Sequence, residues 1–214
     1  MHGQGAPSDI STKDKRAPAH ERTGVMLPEL LQKSSLFALL HRIDTDLANQ
    51  CREKGCPFCG GHLHQATYQR KPRGGPEGLP EEYLVRQSLC CGRENCRRRC
   101  LPASCLFMGR RVYWAGVILV VMALRQNRPK SAGTRELMRM FGMTRKTLFR
   151  WIRYFREAFP SSAQWQKLRG RVHSSIRDSE LPGHLLRYFI RYADSAEAGL
   201  VGCLRFLATG SDSS

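Results

Sequence analysis

Acidic residues are scarce in this chain of 214 residues: eighteen Asp plus Glu face thirty-five Lys plus Arg, for a formal net charge of +17. Between Arg110 and Arg177 the shortage is sharpest, with sixteen Lys or Arg and only Glu136 and Glu157 as acids. Few carboxylates leave little from which to build a two-metal nuclease or transposase centre, which gathers several around Mg²⁺. Asp178, Glu180, Asp194 and Glu197 fall in a tail of helical pattern and read as surface charge. The chain also lacks a Gly-rich phosphate loop, a Ser or Cys nucleophile motif and a βαβ pattern, so no enzyme is expected.

A long hydrophobic run is missing too. The longest, YWAGVILVVMAL at Tyr113–Leu124, has twelve residues, too short to cross a hydrocarbon core of about 30 Å. It predicts a buried helix and no membrane partner. The opening MHGQGAPSDISTKDKRAPAHE has no apolar h-region, which predicts a chain without an export signal and a cytoplasmic, nucleoid-associated location. No internal repeat is visible, and nothing in the sequence fixes an oligomeric state.

Basic charge is present in excess, and an excess of this size favours a polyanionic partner, nucleic acid first. The competing reading is an ordinary basic protein with solvated charges. A solvated face usually interleaves both signs, which the Arg110–Arg177 stretch does not.

Cysteine is abundant, with nine in all. Eight lie between Cys51 and Cys105, and Cys203 stands apart. Clustered cysteines in a chain without an export signal read as metal ligands before disulfides. Cys56-Pro-Phe-Cys59-Gly-Gly has the form of a zinc knuckle, in which two thiolates two residues apart grip one tetrahedral ion. The second pair is Cys91 and Cys96 in CGRENC, with Cys90 the alternative to Cys91 because adjacent strand residues face opposite ways. His62 and His64 are reserve ligands. Four cysteine ligands leave no open position for water, so one structural Zn²⁺ per chain is expected. A thioredoxin-type redox pair would need the missing βαβ context. Cys51, Cys100, Cys105 and Cys203 read as bystanders. Arg97, Arg98 and Arg99 follow the second pair and suit either phosphate contact or simple solvation.

The fold class expected is α+β, mainly α: a small zinc ribbon followed by a helix-turn-helix, homeodomain-like helical domain. Residues 1–24 read as a disordered arm, 25–55 as amphipathic helices and 56–107 as the ribbon, with strand-like runs at His62–Lys71 and Tyr83–Cys91. Residues 110–160 read as the helix-turn-helix domain, 161–209 as C-terminal helices near Gln164–Lys167 and Gly183–Leu207, and 210–214 as a loose tail. Within the third unit, helices are expected at Arg111–Asn127, Thr134–Phe141 and Thr144–Ala158. Thr134 and Thr144 are the expected caps, and Gly142 supplies a positive φ between the last two helices.

The segment TRELMRMFGMTRKTLFRWIR, with Leu137, Phe141, Met143, Leu148 and Trp151 as its apolar set, resembles the helix-turn-helix families of repressors, resolvases and transposase amino-terminal domains. Met138 departs from them, standing where they usually carry a small residue. The resemblance implies that Thr144, Arg145, Lys146, Phe149, Arg150 and Arg153 face the major groove of double-stranded DNA. More widely, CPFCGGHLHQATYQRKPRG, QSLCCGRENCRRRCLPASCLFMGRRVYW and TLFRWIRYFREAFPSSAQWQ are similar to a family of bacterial proteins associated with insertion sequences and transposases. That implies a transposition accessory or regulator binding element ends or the element's promoter. The alternative from another class is an interaction adaptor that docks on a transposase or recombinase without reading DNA itself.

Overall fold

The computed structural model describes residues 26–210. The expected arm at 1–24 and the tail beyond Gly210 lie outside them. The described chain is mainly helical, with one three-stranded and one two-stranded sheet.

Residues 26–30 are helical and deliver Leu27, Leu30 and Leu31 to the core. Helix α1 (Ser34–Lys54) follows, burying Leu36, Phe37, Leu40, Asp44 and Ala48, which recur every three or four positions along one face. The strands come next: β1 (Leu63–Gln65), β2 (Tyr68–Gln69), β3 (Val85–Arg86), β4 (Leu89–Cys91) and β5 (Arg99–Cys100), with a 3-10 turn at Glu81–Leu84. Strand β4 pairs antiparallel with both β1 and β5, while β2 and β3 form their own pair. The two strand-like runs of the sequence are therefore each broken into shorter pieces, as their polar and Gly/Pro-rich surroundings require.

From Ala115 onward the chain is helical: α2 (Ala115–Arg125), α3 (Ala132–Met140), α4 (Arg145–Arg153), α5 (Ala163–Arg169), α6 (Gly183–Arg191) and α7 (Ala196–Thr209). A π turn at Tyr154–Ala158 extends α4, and a 3-10 turn lies at Asp178–Glu180. Helix α2 is the centre. Every residue from Ala115 to Met122 is buried, because α4, α6 and α7 all pack on it. One continuous apolar cluster runs from Leu27 through α2 to Ala208, so segments 25–55, 110–160 and 161–209 share a core. The α6–α7 pair is close-packed: a Cβ at Gly199 would stand 2.6 Å from the Ile190 Cα, so that crossing requires glycine.

Three boundaries differ from the sequence reading. Helix α2 starts at Ala115 rather than Arg111, since Tyr113 and Trp114 are held in isolated bridges to Arg73 and Phe107. Helix α3 starts before Thr134, which does not cap it. Ser131 occupies the cap position, and buried Thr134 turns its hydroxyl to the Arg128 carbonyl at 2.8 Å. The expected Gly183–Leu207 helix is two helices, parted at Ser195, whose side chain accepts the Ala198 amide at 3.1 Å.

Candidate metal centre and basic helix face

The first cysteine pair sits in a tight turn built by its neighbours. The Cys56 amide donates to the Gly61 carbonyl and the Gly60 amide to the Cys56 carbonyl, each at 2.8 Å. Gly60 takes a φ of 68°, which an L side chain rarely adopts. The second pair straddles the turn after β4. Here the Cys96 and Arg97 amides both donate to the Arg93 carbonyl at 3.0 Å, and the Cys91 amide donates to the Arg98 carbonyl at 2.9 Å. Arg93 joins the turns by donating to the Cys59 carbonyl at 2.9 Å.

These turns bring Cys56, Cys59, Cys91 and Cys96 together, with all four sulfurs within 4.8 Å of one another. The Cys56–Cys96 separation is 3.8 Å and the Cys59–Cys91 separation 3.5 Å. A tetrahedral ion with metal–sulfur bonds of about 2.3 Å would hold its sulfurs about 3.8 Å apart, so the cluster could bind a metal ion. Burial opposes ionisation of Cys56, yet the Phe58 and Cys59 amides and the neighbouring thiols outweigh it and draw Cys56 down to about 6. Cys91 moves the other way. Its Arg93 amide favours the thiolate, but burial and the surrounding thiols push it up to about 12. Thiols this close lose protons stepwise, because each thiolate disfavours the next. A bound dication would reverse that preference.

Register decides between the adjacent cysteines. Leu63, Leu89, Cys91 and Cys100 are buried together on the inner face of the three-stranded sheet, so alternation turns Cys90 outward. The Cys90 Sγ points to the Arg97 carbonyl at 3.5 Å. His62 and His64 are exposed and pack on each other, ring centroids 4.9 Å apart. Neither joins the cluster.

The four remaining cysteines stay outside the four-sulfur group, though two of them lie beside it. Cys100 is fully buried against the cluster and Cys51 packs on it. Burial, followed by the charges of Cys56 and Cys51, pushes the Cys100 thiol up to about 11. Cys105 and Cys203 belong to the large core instead.

The sequence also gave no role to Asp44. Its carboxylate is buried, accepts the Cys105 amide at 2.6 Å and the Leu106 amide at 3.4 Å, and accepts the Ser104 hydroxyl. Arg86, also buried, donates to the Pro102 carbonyl at 2.5 Å and offsets the Asp44 charge. Together they fasten α1 and β3 to the irregular segment that leads from the cysteine cluster into α2.

Helices α3 and α4 meet through a turn at Gly142, where φ is 56°. The Met143 amide donates to the Met138 carbonyl at 2.8 Å, and Thr144 caps α4 by accepting the Thr147 amide at 3.2 Å. Leu137, Phe141, Met143, Leu148, Trp151 and Ile152 are buried. Met138 is half-buried against the same core. The opposite side of α4 carries Thr144, Arg145, Lys146, Phe149, Arg150 and Arg153, all exposed. Arg145 lies 5.6 Å from the Phe149 ring centre. Arg153 is engaged: its Nε meets Glu157 at 2.9 Å.

Among the described residues no helix is long and apolar enough to cross a membrane. No protein-family model matches the chain, and neither curated proteins nor solved structures include a match.

Proposed function

We propose that the chain is a zinc-stabilised reader of duplex DNA. One observation carries this reading: the solvent side of α4 gathers Arg145, Lys146, Arg150 and Arg153 with Thr144 and Phe149, while its other side is anchored by Leu148, Trp151 and Ile152. A helix fixed on its apolar side and basic on its free side is suited to the major groove. There Arg pairs with guanine O6 and N7, and Lys or Thr meets phosphate. The packing of α2, α3 and α4 about the Gly142 turn supports a helix-turn-helix, in which α4 is the inserted helix.

Zinc is the ion proposed for the cluster, since four thiolates in tetrahedral spacing suit it and leave no position for substrate. Its role is then to fold the β1–β4–β5 unit. The resemblance read from the cysteine and α4 segments of the sequence extends the proposal to an accessory or regulator acting at the ends or promoter of a mobile element, with a transposase or recombinase as second partner.

The test is a fluorescence anisotropy titration of the full chain with labelled duplex at two salt concentrations. Binding that weakens steeply with salt is expected, because each phosphate contact releases counterions. Indifference to duplex at low salt would return the chain to the adaptor reading.

A further inference from the structure

The exposed side of the cysteine-bearing sheet and its β5 edge carry a run of basic and aromatic side chains outside α4. Register pairs His64 with Cys90 and Cys90 with Arg99. With Leu63, Leu89, Cys91 and Cys100 turned inward, these three residues line up across the outer face. His62 packs beside His64. Strand β5 is an edge strand, and aromatic rings flank it. Phe58, at the tip of the first cysteine turn, is 48% exposed, and the Arg98 guanidinium lies 4.4 Å from its ring centre. Tyr68 is 37% exposed, with the Arg99 guanidinium 6.0 Å from its ring centre.

A large ring left in water costs free energy unless something covers it, and each ring here is met by a cation. Arg97, Arg98 and Arg99 are exposed and make no ion pair among the described residues, and Glu94 is the only acid from Arg93 to Arg99. Cations interleaved with open rings match a polyanion that carries flat bases. Stacked bases in a duplex offer no free faces, whereas unpaired bases do.

We propose that the outer face and β5 edge of this sheet bind single-stranded DNA, with Phe58 and Tyr68 stacking on unpaired bases and Arg97, Arg98 and Arg99 meeting the phosphates. The choice of DNA over RNA rests on the duplex-DNA reading of α4; the stacking surface itself does not. A protein so equipped would hold a duplex beside a frayed or nicked end, with α4 on the paired part and the sheet on the unpaired part.

The experiment is a set of anisotropy titrations of the full chain with labelled oligo(dT), oligo(U) and a duplex. Phe58→Leu and Tyr68→Leu should each weaken oligo(dT) binding about tenfold, in line with the usual worth of one base stack. Duplex affinity and metal content should stay within twofold of the parent, which also reports that each variant has folded. Phe58→Trp should restore oligo(dT) binding, and Arg98→Gln should weaken it with the ring intact. Unchanged oligo(dT) affinity in both leucine variants would overturn the proposal. So would an equal loss on duplex, the mark of a general phosphate patch, or tighter binding of oligo(U). The two surfaces separate cleanly. Arg145→Ala/Arg150→Ala should lose duplex and keep oligo(dT). A parent chain that binds oligo(dT) but not duplex sinks the α4 reading alone, and the converse result sinks this one alone.

Discussion

The Tyr113 hydroxyl donates to the Gly142 carbonyl at 2.9 Å, while its ring meets Trp151 edge-on at a centroid distance of 5.0 Å. One buried side chain ahead of α2 therefore holds both the turn between α3 and α4 and the anchored side of α4. The basic face is set by the core, and its orientation is fixed before any ligand arrives.

Replacing Tyr113 with Phe removes that hydrogen bond and keeps the ring. A net loss of about 1 kcal/mol is expected, with the turn carbonyl losing its partner. Tyr113→Ala should cost several times more by opening a cavity. Urea midpoints of the two variants measure both terms, and a Phe variant as stable as the parent would free the hydroxyl of any role.

Metal analysis should return about one zinc per chain. Cys56→Ser and Cys96→Ser should each abolish stoichiometric binding and melt the β1–β4–β5 unit. Cys90→Ser is the matched control, since that thiol faces away from the cluster. If Cys90→Ser lost the metal while Cys91→Ser kept it, the register would be wrong. A zinc-free sample with an unchanged melting temperature would remove the metal from the folding account.

On α4, Arg145→Ala and Arg150→Ala should each weaken a preferred duplex by about 1–3 kcal/mol and random duplex by less. Equal losses would make them phosphate contacts. Arg153→Ala should do less than either, because Glu157 already holds that guanidinium. Glu157→Gln frees it and removes an acid from the basic stretch, so duplex affinity should rise a few-fold. Affinity below the parent's in Glu157→Gln would place Arg153 outside the interface.

Asp44 predicts a pH dependence of unusual sign. Burial raises its carboxyl to about 6 against an ordinary 3.8, although the Ser104, Cys105 and Leu106 donors and Arg86 pull the other way. The folded chain therefore binds this proton more tightly than the unfolded chain. The group's contribution to stability is greatest below about pH 4, falls as pH rises to about 6 and is constant beyond. Where the cluster holds a metal ion, protons compete for its thiolates at low pH and push in the opposite sense, so the readout is a difference. Asp44→Asn should lack the falling component between pH 4 and 6, and parallel stability–pH curves for parent and variant would refute the assignment.

Much of the site was legible because cysteine spacing encodes chemistry directly. Two residues between Cys56 and Cys59, then a second close pair, specify a grip whatever lies between. The choice of Cys91 over Cys90 was not legible, since it depends on which face of β4 packs inward, and that is set by Leu63 and Leu89. The place of Cys100 beside the cluster was hidden for the same reason: strand pairing sets it opposite Leu89, on the inner face it shares with Cys91. Asp44 leaves a trace in the sequence. It stands four residues after Leu40 and four before Ala48, on the buried face of α1, and an acid at such a position must find donors. The α2–α3–α4 order followed from Gly142 and the Thr144 cap, whereas the start of α2 depended on bridges from Tyr113 and Trp114 to distant Arg73 and Phe107. The single sequence run Gly183–Leu207 hid the α6–α7 break, because apolar residues continue on both sides of it.

The central place of α2 has a consequence for how the protein is made. Its apolar surface leaves the ribosome well before α6 and α7, which cover it, have been translated. At about ten residues per second, that helix waits several seconds without its lid. Nascent chains stalled between α4 and α6 should be good chaperone clients and poor DNA ligands, and a genetic truncation at the same point would inherit both defects permanently.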